Sequence, residues 1–182
     1  MTRPLFLAPE RPADGVLADA LIGRAFGPGR YAKSAERLRE GNEAIAELSF
    51  LAWMDGRAVG CVRLWPITIG GTAALLLGPI AVDESERSGG IGAALVRRAC
   101  DAAHAAGHGL VLLVGDEAYF GEFGFFAAGA SCVRLPGPVD QNRVLINASN
   151  PRALAKLAGP VRGAPRAPSP TPAASRPALI AS

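Results

Sequence analysis

Cysteine, histidine and charge are all scarce in this chain. Of its 182 residues only three are cysteine and two are histidine. Cys61, Cys100 and Cys132 are scattered and show no Cys-x-x-Cys spacing. That excludes a disulfide framework or thiolate metal site and reads as buried thiols of a cytoplasmic protein. His104 and His108 lack a third ligand or carboxylate at metal spacing, so both are expected at the surface and no metal is expected. Apolar runs are short: the longest, residues 73–77 and 110–114, fall far below the ~20 residues that cross a bilayer. Residues 1–10 carry two prolines and no long apolar stretch, which excludes a signal peptide. Acid is missing from residues 141–182, which hold six basic residues, whereas residues 1–140 hold thirteen basic residues against sixteen acids. The formal net charge of +3 therefore sits in the C-terminal segment, and the body presents no nucleic-acid-binding surface.

What remains is apolar: hydrophobic residues make up 49% of the chain and charged ones 19%. A single domain with a real core is expected over residues 1–159. After Gly159 the composition shifts, and six of the fifteen prolines fall in residues 160–182. No helix or ladder strand is expected there. The segment reads as a disordered tail, either dispensable or a basic, polyproline-like tether.

Strand and helix patterns alternate before it. A short strand at residues 5–8 precedes a helix over Gly15–Phe26 that Asp14 can N-cap. Residues 34–40 read as a second helix. Strands at 48–54, 57–67 and 73–82 are joined by turns at Asp55-Gly56 and at residues 69–72, which predicts an antiparallel meander. A helix over 90–106 then leads to a strand at 109–114 by a parallel crossover. One or two helical turns at 118–123 and strands at 125–135 and 144–147 complete a mixed α/β sheet, mostly antiparallel, with helices on both faces. In the 90–106 helix, Ile91, Leu95, Ala99 and Ala102–Ala103 form the core stripe, with Arg97, Asp101 and His104 opposite.

The most informative stretch is Leu75-Leu-Leu-Gly-Pro-Ile-Ala-Val82, then Asp83-Glu-Ser-Glu-Arg-Ser-Gly-Gly-Ile-Gly92. Gly90 and Gly92 open a helix whose first N–H groups and positive dipole end make a site for phosphate, and Arg87 adds a cation. A P-loop requires Lys-Ser/Thr after its last glycine; Ala93-Ala94 stand here. A dinucleotide fold, with Asp116 as the ribose carboxylate, meets three mismatches: Leu95 at the third glycine position, the long approach from Val82, and the preceding meander. Upstream, Gly78-Pro79 interrupts an apolar strand, because Pro79 has no N–H and Gly78 invites a bulge. A bulge there splays this strand from the 109–114 strand and exposes backbone groups of Ile80 and Val82. An extended ligand with amides of its own can pair with them. A plain strand stop is the other reading of the same residues.

Arg87-x-x-Gly90-x-Gly92, placed between strand and helix after a meander, resembles the coenzyme A motif of the GNAT superfamily of N-acetyltransferases. Residues 47–52, 55–60, 77–82 and 112–125 resemble the YhbS-like branch of that superfamily, and the resemblance covers about residues 5–150. It implies a GNAT-like fold and acetyl-CoA as co-substrate, with the pantetheine arm along Ile80, Ala81 and Val82. The pyrophosphate then lies at Arg87, Ser88, Gly89, Gly90, Ile91, Gly92 and Ala93, and Phe120 and Phe123 also contact the cofactor. Direct attack of an amine on the thioester needs a base, an oxyanion donor and an acid for the thiolate. The Ile80 N–H is the expected oxyanion donor. The superfamily places a tyrosine four residues before the glycine of its Gly-Phe pair, and here that position is Phe120. Tyr119 is the first substitute, although one step along a helix turns a side chain by roughly 100°. It reads equally as a core aromatic beside Phe120, Phe123 and Phe125. Asp116 is the best-placed base, with Glu47 and Glu117 as alternatives, and all three read also as solvated turn carboxylates. Ser88-Gly89 departs from the glycine and basic residue common in relatives; Arg97 or Arg98 can partly compensate. Tyr31 is expected near the acceptor.

These readings imply a cytoplasmic N-acetyltransferase acting on a primary amine of a small molecule or peptide. The alternatives are a CoA-binding module without catalysis and, more remotely, a nicotinamide-dependent oxidoreductase. Many relatives dimerise, but no exposed apolar stripe here demands a homodimer. Residues 24–47, which should shape the acceptor pocket, carry no recognisable motif.

Overall fold

Two glycine-containing turns fold the middle of the chain onto itself. In the computed structural model, which describes residues 3–29, 33–128 and 133–164, Asp55 and Gly56 take φ values of 50° and 73°. They close the hairpin between β2 (Phe50–Met54) and β3 (Arg57–Ile69). Gly70 and Gly71, at 55° and 89°, join β3 to β4 (Thr72–Val82). Turns with two left-handed central residues match the twist of the flanking strands. β1 (Phe6–Pro9) adds to the free edge of β2, extending the antiparallel run. α3 (Ile91–Ala105) crosses over to β5 (Leu110–Val114), which lies parallel to β4. β8 (Val144–Ala148) and the short β6 (Phe126–Ala127) continue the sheet antiparallel. This is the expected mixed, mostly antiparallel sheet.

Strand alternation then sends apolar side chains to both faces. On one face Ile91, Leu95, Ala99 and Ala103 of α3 pack on Phe50, Val62, Leu75, Leu77, Val111 and Leu113. On the other, Ala18, Leu21 and Ile22 of α1 (Gly15–Phe26) cover Leu51, Cys61 and Ala81. Arg63 locks α1 to the sheet, reaching Glu10 at 2.6 Å and Asp19 at 2.7 Å.

Several local expectations are corrected. Asp14 stands at the start of α1 without capping it. Its carboxylate accepts from the Arg11 side chain at 2.9 Å and backbone N–H at 3.0 Å, which holds it below the usual carboxylate range. The second helix, α2, is shorter than expected (Ser34–Arg37). His104 and His108 are half-buried; His104 lies one turn after the buried Cys100 on the same side of α3. Of the strand expected over 125–135, the described residues include β6 and β7 (Val133–Arg134), and residues 129–132 lie outside them.

The tail boundary is also wrong. Gly159–Gly163 form β9, paired with β7 and with the far end of β3 through Ile67, Thr68 and Ile69. Proline is tolerated at this strand start because the Pro160 carbonyl still accepts from the Gly70 N–H at 3.0 Å, and Val161 is buried. Residues 165–182, the rest of the expected tail, lie outside the described residues, as do Tyr31 and Cys132.

Candidate active site

The site begins with a defect in β4. Val62 of β3 faces Ile80 and Leu64 faces Leu77, so Arg63 alone stands across from Gly78 and Pro79. The extra residue is a β-bulge, with Gly78 at φ 123°, a region that favours glycine. Past the bulge, the Asp83 N–H donates to the Val59 carbonyl at 2.8 Å. Hydrogen-bonded and non-bonded pairs alternate along an antiparallel ladder, so Ala81 turns its backbone groups to β3 and Ile80 and Val82 turn theirs away. The strand on that other side does not take them up, since β4 and β5 pair at Leu75–Val111 and Leu76–Leu112 and then diverge.

A cleft of about 730 Å³ opens in the divergence, walled by residues 76–80 of β4 and by residues 113–116 at the end of β5 and just past it. Its far side is formed by residues 33–36, Arg39, residues 138–140 and Arg143. A second hollow of about 460 Å³ shares Phe26, Ile80, Tyr119 and Phe120 with the first and reaches Arg87 and Gly92.

The glycine turn borders that hollow. Ser88 and Gly90 both take φ 75°, and the first helical bond of α3 runs from the Ala94 N–H to the Gly90 carbonyl at 3.0 Å. The N–H groups of Ile91, Gly92 and Ala93 therefore precede the intrahelical ladder. A Cβ on Gly90 would meet no atom within 4 Å, so the backbone there is open to a ligand. Arg87 is half-exposed, 4.0 Å from Glu84. Asp83 accepts from the Ser85 hydroxyl at 2.8 Å and from the Ser85 N–H at 3.2 Å, which fixes the approach to the turn and holds its carboxyl low.

Across the cleft lies α4 (Glu117–Phe120). The Phe120 ring lies over Gly115 so closely that a Cβ there would come within 2.4 Å of it. Tyr119 is 45% exposed, with its ring 4.9 Å from Phe120 and 5.6 Å from Phe123. Its hydroxyl lies 3.4 Å from where a Gly92 Cβ would be, which places it on the glycine-turn side. Partial burial raises its phenol above the ordinary value, with Glu122 adding to the effect, so it stays protonated near neutrality.

Of the three candidate bases, Asp116 lines the cleft, while its carboxylate also caps α4 by accepting from the Ala118 N–H at 3.1 Å. Glu117 is turned to the Ala127 N–H at 3.1 Å, and Glu47 sits exposed in a 3₁₀ turn away from the cleft walls. Phe123 is buried in the core under the Arg97 guanidinium, and the Ala81 methyl is buried beneath α1, so neither lines the cleft. Burial pushes the Cys61 and Cys100 thiols up to about 12, which removes both as nucleophiles.

Residues 33–39 bring side chains that the sequence left unassigned. Glu36 and Arg39 form an ion pair at 2.7 Å with side chains 18% and 14% exposed, and both line the cleft. Their i,i+3 spacing in an expected helix is the only signal that pointed to them. Lys33, Asp140 and Arg143 complete the charged lining.

A family model described as "Acetyltransferase (GNAT) family" matches residues 19–125. The uncharacterized N-acetyltransferase YhbS of Escherichia coli K12 is 33% identical over 132 residues, which is 71% of this chain and 78% of that protein. A crystal structure of E. coli YhbS in complex with CoA superposes with a TM-score of 0.76 at 27% identity, covering 90% of this chain and 92% of that one. A GNAT family acetyltransferase from Brucella melitensis, solved with acetyl-CoA, shares the fold at a TM-score of 0.61 and 24% identity, over 82% of this chain and 91% of that one.

Proposed function

The chain belongs to the acetyltransferase (GNAT) family and is an acyltransferase, and we propose that it transfers the acetyl group of acetyl-CoA to a primary amine by direct attack. The observation that carries this reading is the bulged β4, whose Ile80 and Val82 amides face an open cleft beside a glycine-opened helix. The pantetheine arm pairs with residues 80–82 as an added strand would. The pyrophosphate lies against the Ile91, Gly92 and Ala93 N–H groups with Arg87 nearby. The Ile80 N–H donates to the acyl oxygen as negative charge develops there. The acceptor enters from the side of residues 33–39 and gives its proton to Asp116. As the C–S bond breaks, the thiolate takes a proton from Tyr119, whose phenol is held in its protonated form.

Phe120 favours a second reading, a CoA-binding module without turnover, because it removes the hydroxyl usual in the family at that position. The nicotinamide reading falls with the family assignment. The protein is placed in the cytoplasm in this proposal; no described helix is long and apolar enough to cross a membrane. Thermal melts with acetyl-CoA test both readings, since a ligand at 100 times its dissociation constant stabilises by about 2.7 kcal/mol. Absence of any shift refutes both. Thiol release over a panel of small amines, polyamines, aminoglycosides and peptide N-termini then separates enzyme from binder.

A further inference from the structure

The bulge that turns Ile80 toward the cleft leaves a peptide with no place in the ladder. Gly78 and Pro79 have no register partner on β3, and Gly78 sits at φ 123°. Its carbonyl accepts instead from a side chain, the Trp65 indole N–H, at 2.7 Å. Trp65 belongs to β3, two residues past the bulge and on the face opposite α3. Its ring is in turn covered by the Arg39 guanidinium, 6.0 Å from the ring centroid, and Arg39 is held by Glu36 at 2.7 Å. The end of the Arg39 side chain also comes within 3.4 Å of the position a Gly78 Cβ would occupy. Glu36, Arg39, Trp65 and Gly78 thus form one connected stack from α2, on the acceptor side, to the carbonyl two residues before Ile80.

We infer that Trp65, braced by the Glu36–Arg39 pair, is a positioning residue that fixes the Gly78-Pro79 peptide and through it the direction of the Ile80 N–H. The inference rests on the acetyl-transfer reading. A bulge is the least constrained part of a ladder, and a single indole donor anchored from another element removes the freedom of its carbonyl. The geometry of the oxyanion donor is therefore set from the acceptor side of the cleft.

Acetyl-CoA and CoA differ by the acyl group alone, so the ratio of their dissociation constants reads the Ile80 contact without any acceptor. Calorimetric titration of the full chain is expected to favour acetyl-CoA by about fivefold, the worth of one neutral hydrogen bond. Trp65→Phe keeps an aromatic surface under Arg39 and deletes the N–H donor. Its ratio is expected to fall to about one while CoA affinity stays within about twofold. A preserved ratio, or an equal loss of both affinities as a purely structural residue would give, overturns the inference and leaves acetyl transfer standing. A wild-type protein that binds neither ligand overturns acetyl transfer itself and the inference with it. If Trp65→Phe does not melt cooperatively, Glu36→Gln loosens the brace without touching β3. The ratio should drop there too, and an unchanged value decides against the role.

Discussion

Replacing Gly92 by alanine separates the two tasks of the first turn of α3, folding and ligand approach. Gly92 is the second residue of the helix and has ordinary helical φ, so alanine fits its backbone without strain. The new methyl would meet the Tyr119 hydroxyl at 3.4 Å and Val82 Cγ2 at 3.8 Å, both ordinary contacts. Alanine in place of a helical glycine gains roughly 0.5–1 kcal/mol by restricting the unfolded chain. For a protein of this size that raises Tm by about 1–4 °C. In the proposed function the same methyl stands where the pyrophosphate approaches the Ile91, Gly92 and Ala93 N–H groups. Loss of that approach is expected to weaken acetyl-CoA binding about tenfold, or ~1.4 kcal/mol. Differential scanning fluorimetry and calorimetric titration on one preparation measure both effects, which should have opposite signs. Wild-type affinity in Gly92→Ala would refute the turn as the phosphate cradle. A lowered Tm would refute the helix geometry. Gly90→Ala cannot make this separation, since φ 75° penalises any side chain by about 1–2 kcal/mol whatever binds.

Three further outcomes are expected. Tyr119→Phe retains the ring contacts and should melt within about 0.5 kcal/mol of wild type. It should lower kcat about 100-fold or more if the hydroxyl protonates the thiolate, whereas full activity would remove Tyr119 as the acid. Because the phenol is raised, the wild-type rate should fall on the alkaline side only above its ordinary value of 10. Gly115→Ala places a methyl 2.4 Å from the Phe120 ring and should cost about 1–3 kcal/mol in chemical denaturation. Phe120→Ala in the same chain should relieve part of that cost, and additive losses would show that the two sites do not touch. Asp14 is held below its ordinary value of 3.8, so its ionised form stabilises the fold above that pH and the gain is lost as pH falls through the lowered value. Asp14→Asn should therefore melt earlier than wild type at pH 7, with the difference closing below pH ~4; a gap independent of pH would point to packing alone.

The sheet and the strand break beside the cleft were legible from local chemistry, and the family from the resemblance carried by Arg87-x-x-Gly90-x-Gly92 and its flanking stretches. Asp55-Gly56 and Gly70-Gly71 dictate turns through backbone freedom, Gly90 opens a helix, and Gly78-Pro79 cannot complete a ladder. Each is a property of one or two residues and their neighbours in the chain, so sequence suffices to read it. The same resemblance implies a tyrosine at the position that Phe120 fills. Tertiary structure decided what depends on distant partners. Residues 159–163, with Pro160 among them, become a strand because the end of β3, some ninety residues earlier, offers them a free edge. Asp14 serves Arg11 rather than its helix, and Ala81 and Phe123 turn into the core, because packing sets side-chain direction. Glu36, Arg39 and Trp65 carry no motif, and only the fold stacks them against the Gly78 carbonyl. Tyr119 faces Gly92 for the same reason, since a helical step of roughly 100° is fixed by the chain but the surface it meets is not.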